Sequence, residues 1–158
     1  MEFEDVPDFL STLKDVTRNY GVTCQAVDAN AVAGKEHIDY CVEKSIRAHA
    51  SGENLANELG VEILLYLCGN RQISRALELG VREGFNRLVV VFIGDGARRA
   101  ADDTDRLMES SDTISYTNQK RDFLTGLHGI TPEELDAAGE EAIPMLCRER
   151  SALLELEK

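Results

Sequence analysis

The stretch "VEILLYLCGNRQISRALELGV", residues 61–81, sets the reading of the whole chain. From Val61 to Cys68 apolar residues run almost all the way round a helical projection. A helix with no polar face has no side to give to water, so this one is expected at the centre of the fold. Gly69 and Asn70 break the run, and a further short helix is expected up to Leu79–Gly80. On that second helix Arg71, Arg75, Glu78 and Arg82 share one edge, while Ile73, Ala76, Leu77 and Val81 share the other. The pattern predicts an arginine stripe outside a buried apolar face. Glu78 is placed to pair with Arg75 and Arg82. Arg71 keeps its guanidinium beside Asn70 and Gln72, a cluster of donors suited to phosphates and base edges.

Upstream, Val6, Phe9, Leu10, Leu13 and Val16 recur at helical spacing and predict an amphipathic helix ending near Tyr20–Gly21. "VTCQAVDA" (22–29) alternates as a half-buried strand does. After Gly34, Ile38, Cys41, Val42, Ser45 and His49 line one side of another helix, and "SGEN" (51–54) punctuates before the central one. Downstream, "RLVVVFIG" (87–94) is the clearest strand, rich in β-branched residues and leaving through Gly-Asp-Gly. A polar helix is expected over "ARRAADDTDRLMES" (97–110) and an edge strand at "TISYT" (113–117). In "ITPEELDAAG" (130–139) Thr131 is a natural N-cap, Pro132 takes the first helical position and Glu133 and Glu134 fill the first turn. The tail from Ile143 fits neither period well and is interrupted by Pro144. With no repeat, linker or low-complexity segment, residues 1–158 are expected to form one domain.

The chain carries 17 basic and 29 acidic residues, for a formal charge of −12. That balance argues against a general nucleic-acid binder, which normally shows a basic field. The charge is uneven: between Gly69 and Arg99 six arginines face three acids, a local +3, which hints at an anion-binding face. Arginine outnumbers lysine, and acids are spread along the whole chain. This composition fits a protein kept soluble in a salty cytoplasm and equally an ordinary acidic protein. No apolar run approaches the roughly 18 residues of a membrane span, and "MEFEDVPDF" has neither the basic nor the apolar region of an export signal, so a cytoplasmic protein without membrane contact is expected. The four cysteines, at 24, 41, 68 and 147, form no CxxC pair and read as reduced thiols.

Chemistry-bearing groups are sparse. His37 and Cys41 stand four apart, but two ligand types without a second pair do not make a metal site, and neither a metal nor another cofactor is expected. The Gly94–Gly96 turn follows a strand and precedes a helix, where ligands often sit in α/β folds, yet it lacks both GxGxxG and the lysine of a P-loop and reads first as a tight turn. Asp102, Asp103 and Asp105 lack the spacing of a calcium loop. His37, His49 and His128 lie in no nucleophile motif. Glu62 and Tyr66, on the least apolar side of the central helix, are a candidate acid and donor pair or simply a structural hydrogen bond. No nucleophile, base and orienting group come together, so no enzyme is expected.

Four blocks, "DANAVAGKEHIDYCVEKSIRA" (28–48), "GENLANELGVEILLYLCGNRQISRALELGV" (52–81), "HGITPEELDAAG" (128–139) and "LCRERSALL" (146–154), resemble in this order the Cgi/TPRKB small subunit of the KEOPS complex. The resemblance implies a non-catalytic α+β protein, helix-rich around a small, mostly antiparallel sheet. It implies binding to the kinase-like ATPase of KEOPS, which in turn holds the transferase that makes threonylcarbamoyladenosine in tRNA. Archaeal members also bind the single-stranded 3′ CCA end of tRNA, a target that a small surface can read by stacking and a few hydrogen bonds without a broad basic field. On this likeness Asn70, Arg71, Gln72 and Arg75, with Ile73 packed beneath, are expected to face RNA, and so are His37 and Asn54. Ala152, Leu153 and Leu154 are expected either to face the kinase or to belong to the core. The alternatives are a nucleotide- or metabolite-binding enzyme using the Gly94–Gly96 turn, and a stand-alone regulator that binds a partner protein.

Overall fold

The computed structural model describes residues 2–3 and 6–157. A short strand, β1 (Glu2–Phe3), leads to α1 (Val6–Tyr20), whose Phe9, Leu13 and Val16 point inward while Leu10 stays 41% exposed. β2 (Thr23–Asp28) runs on through a 3₁₀ turn at Ala29–Ala31, which Asp28 caps by accepting from the Asn30 amide at 3.0 Å. Then come α2 (Lys35–Ser51), α3 (Leu59–Cys68) and α4 (Ile73–Leu77). β3 (Gly84–Phe85) pairs antiparallel with β1, and β4 (Leu88–Ile93) pairs antiparallel with β2 from Thr23↔Ile93 to Asp28↔Leu88. The remaining helices are α5 (Ala97–Asp105), α6 (Arg121–His128), α7 (Pro132–Ala138) and α8 (Ile143–Glu157).

The result is the α+β architecture expected, helices around a small antiparallel sheet. Side chains alternate across the β2–β4 ribbon. Val27, Val89, Val91 and Ile93 meet α3 on one face. Ala26, Leu88 and Val90 meet Phe9 and Leu13 of α1 on the other, where Val22 and Phe92 also join Val16 of α1 and Ala100 of α5. Both faces are covered, so burial does not alternate even though direction does. α3 is the hub: Ile63, Leu64, Leu65, Tyr66 and Leu67 are all at most 1% exposed, between the ribbon on one side and α2 and α8 on the other. A second apolar cluster joins Leu124 of α6, Ile130, Leu135 of α7 and Ile143, Leu146 and Cys147 of α8.

Three local outcomes differ from the sequence reading or resolve it. "TISYT" is not a strand: the Asp112 carboxylate accepts from the Ile114 and Ser115 amides at 3.2 and 3.1 Å, which bends the backbone out of an extended course. The tail is a helix, because Pro144 is its second residue, where a missing N–H costs nothing. α6 has no counterpart in the sequence reading. It carries Leu124 at 0% exposure and ends on Gly129 in the left-handed conformation, φ 60°.

Candidate functional site

α3 stops because Gly69 turns left-handed at φ 60° and its N–H closes back on Leu65 and Tyr66. The room there is tight: a Cβ on Gly69 would stand 3.1 Å from the Arg150 carbonyl oxygen of α8. Asn70 then folds its side chain over the loop, its Oδ1 accepting from the Gln72 amide at 2.8 Å. This turn ends one helix and launches α4, and it leaves Arg71, Gln72, Ile73 and Arg75 all exposed, with Asn70 half-buried. Arg71 and Arg75 make no ion pair among the described residues. Arg82 does not join them; it reaches Asp28 at 3.8 Å. The expected apolar underside of this segment is corrected. α4 is five residues long, and only Ala76 and the following Leu79 are buried, whereas Ile73 is 43% and Leu77 55% exposed. The loop thus offers two free guanidinium groups next to two exposed aliphatic side chains.

His37 and Asn54 do not reach this surface. His37 is buried, at 1% exposure; its Nδ1 accepts from the Ala33 amide at 3.0 Å, and its Nε2 stands 3.2 Å from the Ser151 hydroxyl. Burial lowers it to about 3, with His128 and Lys120 adding to the effect. Its ring meets that of His128 edge-on, centroids 6.0 Å apart. His128 is held at about 4 by burial and by Arg150, and neither of its ring nitrogens has a hydrogen-bond partner among the described residues. Cys41, four residues from His37, donates its thiol to the same Ser151 hydroxyl, and burial pushes it up to about 12. Asn54 precedes α3 and donates to the Ala56 carbonyl at 2.8 Å; the ten residues of α3, about 15 Å of rise, separate it from Asn70.

The remaining chemical candidates are structural. The Glu62 carboxylate, 0% exposed, accepts from the amides of Leu55 (3.0 Å) and Ala56 (2.8 Å) and so ties the 52–58 loop to α3. Tyr66 donates to Glu155 of α8 at 3.2 Å, with burial and that carboxylate raising its phenol. At the Gly94–Gly96 turn a Cβ on Gly96 would sit 2.6 Å from the Tyr20 carbonyl oxygen, so glycine serves close backbone packing there. Asp103 is taken by the Tyr20 hydroxyl. All four cysteines are free thiols, and no cluster of three or more His, Cys, Asp or Glu suited to a metal ion occurs among the described residues.

α8 presents the second surface. Met145 (63% exposed), Glu149, half-buried Ala152, Leu153 (42%) and Leu156 (81%) follow one another along one face. Leu154 is corrected to the core: it is 0% exposed and packs with α3. Beside this face the Tyr40 ring of α2 lies between two cations, Lys44 at 5.5 Å and Arg148 at 5.2 Å. Only the position of α3 reveals which of the two adjacent leucines turns inward.

Residues 3–130 match a family model described as kinase binding protein CGI-121. The matched span runs from the first strand through α6 and includes the 69–75 loop. No curated protein matches the chain.

Proposed function

The chain belongs to the CGI-121 family of kinase-binding proteins, and from that premise we propose that it works in the cytoplasm as a non-catalytic subunit of a KEOPS assembly. In this reading it binds the kinase-like ATPase of the complex and the 3′ CCA end of tRNA, and reaches the threonylcarbamoyl transferase only through the kinase. The family match carries the proposal.

The two exposed surfaces supply the physics. A durable subunit contact needs an apolar centre with aromatic or arginine anchors. The Met145–Leu153–Leu156 face of α8 has the first, and Tyr40 with Arg148 beside it has the second. The 69–75 loop has the qualities a single-stranded RNA end requires: free guanidinium groups for phosphate or base edges, and Ile73 and Leu77 for contact with unstacked bases. A net charge of −12 is tolerable there because the contact is short-ranged and local.

The deciding experiment is a pull-down of a KEOPS kinase by the purified chain, with and without tRNA, alongside gel shifts with intact tRNA and tRNA lacking CCA. Capture of the kinase and a shift that depends on CCA are expected. A chain that captures no kinase is a stand-alone regulator, and equal binding of both RNAs removes the CCA assignment.

A further inference from the structure

Among the described residues the β2–β4 ribbon has two strands, and the outer edge of β4 is open. The Ala29 amide donates to the Arg87 carbonyl at 2.9 Å, which fixes the alternation of the antiparallel ladder. Val89, Val91 and Ile93 therefore turn their backbone groups toward β2, and Leu88, Val90 and Phe92 turn theirs away. The Leu88 carbonyl takes the Thr113 hydroxyl at 2.8 Å. The amides of Leu88, Val90 and Phe92 and the carbonyls of Val90 and Phe92 meet no backbone partner among the described residues.

This edge is the floor of a groove of about 400 Å³ between α5 and the 108–114 segment. The far wall is tied down by hydrogen bonds. Lys120, 5% exposed, donates from Nζ to the Thr113 carbonyl at 2.8 Å and the Val32 carbonyl at 2.9 Å, and Asp112 holds the Ile114 and Ser115 amides. Phe85 (64% exposed) and Ile114 (38%) stand at its rim. Asp105 of α5 and Glu109 of the 108–114 segment, both exposed and without an ion pair among the described residues, line the groove, and Arg87 is the one cation of the lining.

We infer that the groove along β4 is a docking site for an extended segment of a partner protein, added as a third strand of the β2–β4 sheet and carrying basic side chains toward Asp105 and Glu109. Unpaired backbone donors and acceptors in a row are satisfied by another extended backbone. Leu88 to Phe92 offers about 17 Å of edge, room for a strand of some five residues. Phe85 and Ile114 give apolar contact to alternate side chains of that strand. The unpaired carboxylates select the charge. They also disfavour a second copy of this chain, which would bring its own −12 to the contact.

The probe is a terminally blocked seven-residue peptide, Thr-Val-Lys-Val-Lys-Val-Thr, titrated into the full chain and followed by amide NMR and hydrogen exchange. Binding is expected with at least tenfold slower exchange at the Val90 and Phe92 amides. The double variant Asp105→Lys, Glu109→Lys, which touches only exposed side chains, is expected to bind at least tenfold more weakly, and the peptide with Glu in place of Lys is expected not to bind. Equal affinity for the two peptides overturns the inference, as does binding that leaves the Val90 and Phe92 amides unchanged. Sedimentation that finds the free chain already dimeric, with those amides protected, assigns the edge to a second copy instead and overturns it too.

Discussion

Nε2 of His37, on α2, stands 3.2 Å from the hydroxyl of Ser151, on α8. Because Nδ1 of the same ring accepts from the Ala33 amide, the ring proton sits on Nε2 and is donated to Ser151. One neutral imidazole thus joins the start of α2 to the middle of α8.

This arrangement makes stability depend on pH. In the unfolded chain a histidine takes up its proton below about pH 6.5, whereas folded His37 and His128 stay neutral down to about 3 and about 4. Between those limits the unfolded state binds more protons, so stability falls as pH falls. Roughly 2 kcal/mol per histidine is lost between pH 7 and pH 5. Urea unfolding at both pH values checks this, and His128→Leu is expected to remove about half of the difference. A variant with the same pH dependence as the parent refutes it.

Glu62→Ala strips the acceptor from two amides, that of half-buried Leu55 and that of buried Ala56. A loss of about 3 kcal/mol is expected from two unsatisfied donors, or roughly 6–12 °C in melting temperature for a chain of this size. Glu62→Gln keeps an acceptor and is expected to lose less than half as much. Thermal melts of the pair distinguish a capping role from mere volume.

Adjacent leucines on α8 are expected to behave oppositely. Leu153→Glu leaves the fold intact, since its side chain is 42% exposed, and abolishes capture of the kinase by placing a charge in an apolar contact. Leu154→Ala, at 0% exposure, costs about 2–5 kcal/mol of stability by opening a cavity. Circular dichroism beside the pull-down separates them. A folded Leu153→Glu protein that still captures the kinase normally moves the contact away from α8.

Arg71→Glu is expected to weaken tRNA binding and flatten its salt dependence while the melting temperature stays within a degree or two, because the guanidinium makes no ion pair among the described residues. Gel shifts over a range of salt concentrations read both effects. Unchanged RNA binding would take Arg71 out of the interface.

Much of the fold is legible in one dimension. α3 announces itself by being apolar on every side, and α7 by Thr131, whose hydroxyl accepts from the Glu134 amide at 3.2 Å. The tail resists because Met145, Leu153 and Leu156 put apolar residues on the outside of α8, which blurs its period. The Thr113–Thr117 segment misleads because β propensity there is outweighed by the Asp112 side chain, which claims two amides. Within the candidate site the exposed arginines follow from their spacing. His37 and Leu154 do not, because both are buried by the packing of α8 against α2 and α3, a long-range contact with no local signature.

A central helix without a polar side also constrains the order of events during synthesis. Ile63 to Leu67 share their packing with Leu154, a residue made long after them. While the ribosome is still extending the chain, α3 has the strands and α2 to lean on but lacks the last wall of its enclosure. The nascent protein therefore carries a sticky, half-covered rod until α8 emerges, which makes closure of the core a late event that waits for a segment made long after the hub itself.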